Sequence, residues 1–79
     1  MIKEPLTDTT QRRHLELCNL LRLYRVNFGY TQAQLAEEIG LSRNSISKIE
    51  NQGWFRIQHL YLLANFYDIP LYELFQDIE

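Results

Sequence analysis

Thr31 to Asn51, TQAQLAEEIGLSRNSISKIEN, reads as two short helices joined by a tight turn. Thr31 can cap the first helix. Its hydroxyl accepts from the backbone N–H of Gln34, whose side chain reaches back in a capping box. Leu35, Ala36 and Ile39 then share one face at helical spacing. Gly40 follows, at a position where a left-handed residue costs least without a Cβ. Leu41 can plug the corner. Ser42 is a good cap for a second helix, in which Ile46 and Ile49 point the same way. Arg43, Asn44, Ser47 and Lys48 point elsewhere. The second helix thus has an apolar underside and a polar top rich in hydrogen-bonding groups.

This pattern resembles the helix-turn-helix of the lambda-repressor/Cro-like family, also called XRE. The resemblance rests on Gln32 at the first helical position, Ala36 where the two helices touch, Gly40 in the turn, and Ile46 and Ile49 on the second helix. It extends from about Leu17 to Phe75. It implies an all-α fold, a compact five-helix lambda-repressor-like DNA-binding domain whose helices two and three form the helix-turn-helix. Physical logic agrees: a rigid corner presents the second helix, so its outer residues can enter a major groove.

A chain of 79 residues allows one domain with one modest core. Its apolar fraction of 46% is too high for disorder. No apolar run approaches the length of a membrane span, and no signal-peptide pattern opens the chain. A single Cys excludes an intramolecular disulfide framework, and a cytoplasmic location is expected. The net charge of −2 argues against an indiscriminate nucleic-acid binder. Its distribution is uneven. Residues 1–30 are net basic, residues 31–56 are balanced, and residues 57–79 contain Asp68, Glu73, Asp77 and Glu79 with no Lys or Arg. The acidic end should face away from a polyanion. Useful affinity then needs a dimer and base contacts.

Residues 1–8 read as a flexible N-terminal arm, with Lys3 able to touch a phosphate, and residues 9–79 as a single DNA-binding domain. Helix one is predicted from Thr9 or Thr10 to Phe28, stopping at Gly29. Leu17, Leu21, Tyr24 and Phe28 form its inward stripe. Leu20, Leu23 and Val26 lie off the stripe and need cover from a neighbouring helix or a second subunit. His14 and Cys18 are four apart, but two mixed ligands without a further cluster are a weak zinc signal. Cys18 is most simply a small buried hydrophobe. The resemblance implies a further feature: Arg25 pairs with Glu50 at the end of the reading helix, a structural ion pair tying helix one to it.

After Asn51 the chain continues QGWFR. Family members often carry basic residues and a Pro here, and this loop is about a residue short. Trp54 and Phe55 stand instead, one as a lid over the core, the other left open between the core and an exposed contact. Helix four is predicted from Ile57 to Tyr67, with Leu60, Leu63, Ala64 and Tyr67 inward and Tyr61, Leu62 and Phe66 on other faces. Asp68 ends it, Ile69 plugs back, and Pro70 precedes a short helix five, Leu71 to Phe75. The surplus apolar groups on helices four and five, with Ile78 beyond, suggest a homodimer through the C-terminal helices. Alternatively, helix one wraps them.

Reading DNA requires donors and acceptors that reach base edges from one helix face. Arg43 suits guanine O6 and N7, and Asn44 suits adenine N6 and N7. By resemblance, Arg43, Asn44 and Lys48 fall at base-reading positions, joined by Ser47. Gln32 and Ser42 fall at phosphate-contacting positions, with Asn51 and Arg56 as further candidates. The bland alternative is a solvated helix surface. A run SRNS–SK with no acid before Glu50 favours reading.

Three function classes follow. The first is a sequence-specific double-stranded DNA-binding transcriptional regulator, expected to repress, binding a near-palindromic operator as a dimer. With no effector domain expected, it would occlude promoters or touch polymerase. The second is a protein-interaction module on the same fold, an antitoxin or antirepressor with little DNA binding. The third, an enzyme, finds no support: two His, one Cys and no Gly-rich phosphate loop make no catalytic constellation. No cofactor, metal, membrane or small-molecule ligand is expected.

Overall fold

Chain order explains the architecture. The computed structural model describes residues 5–53 and 55–75, with side chains from residue 11 onward. The proposed arm contact at Lys3, the aromatic Trp54 and the apolar Ile78 lie outside the described residues. Four α-helices, α1 (Pro5–Asn27), α2 (Gln32–Ile39), α3 (Arg43–Gln52) and α4 (Ile57–Tyr67), are followed by a 3₁₀ helix over Leu71–Phe75. No strand occurs among the described residues. None of their helices is long and apolar enough to cross a membrane.

Two expectations need correction. Helix α1 begins at Pro5, four residues before Thr9, so half of the segment read as an arm is helical. Proline at the first helical position has no N–H to leave unpaired, and its φ is already helical. The fifth element is a 3₁₀ helix, not an α-helix. Its opening bond runs three residues, from the Glu73 N–H to the Pro70 carbonyl at 3.0 Å. Five residues are too few to gain from an α-helical ladder.

The core forms where these elements meet. Leu17 and Leu21 of α1, Leu35 and Ala36 of α2, Ile46 and Ile49 of α3, Leu60, Leu63, Ala64 and Tyr67 of α4, and Leu74 are all buried together. Every inward residue predicted for α4 is among them. Leu41 and Ile69 pack against this cluster as the two plugs. Cys18 is buried, and loss of solvent raises its thiol pKa, so it remains a protonated apolar group.

Helix α1 departs from its predicted stripe at the C-terminal end. Phe28 remains 48% exposed. It still meets Tyr67 edge-on at 4.9 Å and Phe66 at 6.2 Å between ring centroids. Tyr30, which periodicity did not single out, closes on Phe66 at 5.2 Å. Phe66 is therefore covered within the chain by an aromatic cluster. Leu23 and Val26 stay exposed, as do Ile57, Tyr61 and Leu62 of α4 and Tyr72 and Phe75 of the 3₁₀ helix.

One buried group is unpaired. The Tyr67 hydroxyl has no hydrogen-bond partner among the described residues. Burial foremost, with the Glu50 carboxylate adding to it, raises its pKa well above the ordinary phenol value. Tyr67→Phe is expected to raise stability by about 1–2 kcal/mol, because the unpaired hydroxyl's desolvation is no longer incurred. The linkage has a definite sign. Tyr67 stays protonated when folded and ionises near pH 10 when unfolded, so the unfolded chain binds fewer protons there. Stability is full below about pH 10 and falls above it. Urea denaturation between pH 8 and about 11 should show a shallower alkaline loss in Tyr67→Phe.

Candidate nucleic-acid interface

The corner between α2 and α3 is fixed by its caps. The Thr31 hydroxyl accepts from the Gln34 N–H at 3.1 Å, and the Thr31 N–H donates to Gln34 Oε1 at 2.9 Å. Gly40 closes α2 at φ 80°, and its N–H returns to the Ala36 carbonyl. The Leu41 N–H shares that carbonyl at 2.9 Å. The Ser42 hydroxyl then accepts from the Ser45 N–H at 3.0 Å to start α3. Each cap satisfies a backbone group that the helix end leaves open. The direction of α3 is thereby set by local chemistry.

Helix α3 divides into two faces. Ile46, Ile49 and Glu50 are buried. Arg43, Asn44 and Lys48 are exposed, and Ser47 is half-buried. Arg43 and Asn44 occupy the first turn, and Lys48 lies about one turn on. Asn51 is exposed and donates from Nδ2 to Ser47 Oγ at 3.1 Å. The Ser47 hydroxyl is thus oriented, with its own hydrogen left to give. The four residues assigned to base reading share one outer region that carries no carboxylate.

Glu50 is charged and buried, so it needs partners. Its side chain is 2% exposed and that of Arg25 12%. Arg25 Nε donates to Glu50 Oε2 at 2.8 Å, and Nη2 donates to Oε1 at 3.0 Å. Arg25 Nη1 donates to the Tyr30 carbonyl at 2.8 Å. Gln32 Nε2 adds a donor to Glu50 Oε1 at 3.2 Å. Hydrogen bonding to Glu50 is the main cause of the raised Arg25 pKa. The two-pronged pair joins α1 to the end of α3, while Gln32 brings in the start of α2. This network holds the outer face of α3 at one angle to the body.

The residues assigned to phosphate contact have different placements. Gln32 is half-buried and uses one amide hydrogen on Glu50. The Ser42 hydroxyl accepts from the Ser45 N–H and donates to Ser45 Oγ at 3.0 Å. Its donor is already engaged within the chain. Arg56 is exposed and is the N-cap residue that precedes α4. It lies beside Lys48 around a depression also lined by Ser45, Phe55 and His59. Phe55 is half-buried and packs against the core.

Two residues near this edge were missed by periodicity. Gly53 ends α3 at φ 70°. A Cβ there would overlap the imidazole ring of His14. His14 stacks on Phe55 at 6.0 Å and donates from Nε2 to the Gln52 carbonyl at 3.3 Å. This residue, weighed as half of a zinc pair, instead packs across the end of α3. The signal in the sequence was Gly53 directly after the periodic stretch of α3. Gly53→Ala is expected to cost about 1–2 kcal/mol for the left-handed backbone. Displacing His14 adds to that. Thermal denaturation would measure the loss.

Comparison with known proteins places the chain. The family model described as Helix-turn-helix matches residues 21–74, more than half of the chain. The chain belongs to the XRE-type helix-turn-helix family. A similar protein is a hypothetical transcription factor of Neisseria meningitidis serogroup B (strain MC58), 44% identical over 34 residues. That match covers 43% of this chain and 32% of the Neisseria protein. The chain therefore spans about a third of that relative's length. No solved structure matches significantly. Within this XRE-type domain, the matched segment includes α2, α3, α4 and the partners Arg25 and Glu50.

Proposed function

We propose that this protein is a sequence-specific double-stranded DNA-binding transcriptional regulator, acting in the cytoplasm as a repressor. Membership of a family of DNA-binding regulators supports DNA binding, and the similarity to a named transcription factor supports regulation. The carrying observation is the outer region of α3: Arg43, Asn44 and Lys48 are exposed beside Ser47, with no carboxylate among them. Arg43, Asn44, Ser47 and Lys48 read base edges in the major groove. Gln32, Ser42, Asn51 and Arg56 contact the backbone, Ser42 after giving up its bond to Ser45. Backbone contacts set register, and base contacts set sequence.

The protein binds a near-palindromic operator as a homodimer. Ile57, Tyr61 and Leu62 on α4, with Tyr72 and Phe75 on the 3₁₀ helix, leave apolar side chains uncovered in support of a C-terminal dimer face. The C-terminal part of the chain contains only acidic charges after Arg56, so it turns from the DNA. Repression then follows by occlusion. Hydroxyl-radical footprinting on a selected duplex should show two protected half-sites about 34 Å apart. One protected half-site at saturation would remove the dimer. No protection, with the protein folded, would favour the protein-interaction module.

A further inference from the structure

We propose that the outer face of α1 pairs antiparallel with the same face of a second copy, about a two-fold axis at Asn19, in an interface separate from the C-terminal one. The proposal does not depend on DNA reading. Helix α1 turns Leu17, Cys18 and Leu21 to the core. On its other side Leu15, Leu23 and Val26 are 58%, 54% and 55% exposed, although all three are large and apolar. Arg12, Glu16, Asn19 and Arg22 stand among them and are exposed as well. An apolar patch of this kind, edged by charge, marks a contact surface.

The face is symmetric about Asn19. Leu15 lies four residues before it and Leu23 four after, about 40° to either side around the helix. Glu16 and Arg22 lie three before and three after, Arg12 and Val26 seven. A two-fold axis at Asn19 brings each residue level with its counterpart in the second copy. Leu15 then meets Leu23, the apolar stem of Arg12 lies along Val26, and Glu16 stands level with Arg22. Each contact occurs twice. A parallel pair would instead set Arg22 against Arg22 and Glu16 against Glu16, which like charges disfavour. Arg22 Nη2 donates to Asn19 Oδ1 at 2.8 Å, so its guanidinium reaches in toward the centre of the face. The Asn19 amide hydrogens are left to give to the second copy. An Asn on an apolar seam fixes register at some cost in stability. This self-complementarity selects a second copy over an unrelated partner.

Three apolar side chains per copy make a small interface, so the pairing is weak and concentration-dependent. Thiol cross-linking reads its register directly. Helix axes about 9 Å apart put the two Cα atoms at position 19 about 5 Å from each other, within disulfide reach. The native Cys18 is buried, so the wild type is the control. Under mild oxidation at high micromolar concentration, Asn19→Cys should form a covalent dimer and the wild type none. Leu15→Cys and Leu23→Cys should each cross-link little alone, because like positions lie about 12 Å apart along the axis. Mixed together, they should cross-link to each other. Leu23→Arg changes an exposed residue, so it should keep the thermal midpoint. By sedimentation equilibrium it should weaken self-association at this face by at least about tenfold.

A folded Asn19→Cys variant that forms no covalent dimer would overturn the interface. So would Leu15→Cys or Leu23→Cys cross-linking to itself as fast as Asn19→Cys, the mark of random collision or a parallel pair. Unchanged association in Leu23→Arg would assign all self-association to the C-terminal helices and overturn the α1 face as well. A wild type that cross-links as expected but binds no duplex would remove the DNA-binding reading and leave this interface standing.

Discussion

Arg25→Ala is expected to lower the unfolding free energy by about 3–5 kcal/mol, the cost of stranding one charge of a buried pair. Glu50 is 6% exposed as a residue and cannot turn to water without disturbing α3. With Arg25 gone, its carboxylate keeps the amide donor of Gln32 at 3.2 Å. The Tyr30 carbonyl loses its donor as well. A domain of this size has about 5–15 kcal/mol in total, so the loss is a large fraction. Chemical denaturation gives the free energy. Arg25→Lys should recover only part of it, because an ammonium cannot match both carboxylate oxygens as a planar fork does. Replacing both Arg25 and Glu50 with apolar residues should cost less than Arg25→Ala alone. A change in Arg25→Ala below about 1 kcal/mol would mean the pair behaves as a surface bridge.

The second large effect is on recognition. Arg43→Ala combined with Asn44→Ala should abolish discrimination between operator and unrelated duplex while leaving the fold intact. Both side chains are exposed, and neither has a hydrogen bond among those that build the corner. Each good bidentate base contact is worth about 1–3 kcal/mol, and both are lost in every half-site. The proposed dimer would lose them twice, so affinity should fall by at least about a hundredfold. Competition binding with operator and scrambled duplexes separates specific from general affinity. The thermal midpoint should move by less than the equivalent of about 0.5 kcal/mol. Unchanged operator affinity in the double variant would remove the assignment of α3 as the reading helix.

The corner was legible because its chemistry is local. Thr31 with Gln34, Gly40 and Ser42 each satisfy a helix end within three or four residues, so sequence and contact coincide. The end of α4 was legible for the same reason: Asp68 takes the left-handed position at φ 58°, and Ile69 plugs back. Less local features were not legible. Arg25 and Glu50 are far apart in sequence, and no periodicity links them; only the family resemblance pointed to the pair. Tyr30 lies in a turn, where no repeat marks an inward side chain. His14 packs on Gly53 across nearly half the chain. The start of α1 was ambiguous because Pro5 and the Thr7–Thr10 cluster are both good helix openings. On α3, spacing identified which residues face outward. It did not reveal that the capping Ser42 hydroxyl would also spend its own hydrogen on Ser45 Oγ, or that Gln32 would donate to Glu50.

Selection from a random duplex pool at near-physiological salt, run in parallel with wild type and the Arg43→Ala/Asn44→Ala variant, tests the central claim most directly. Sequencing should show an enriched inverted repeat for the wild type, with half-sites about one helical turn apart, and none for the variant. No enrichment by a folded wild-type protein, or the same repeat enriched by both, would contradict DNA reading by α3.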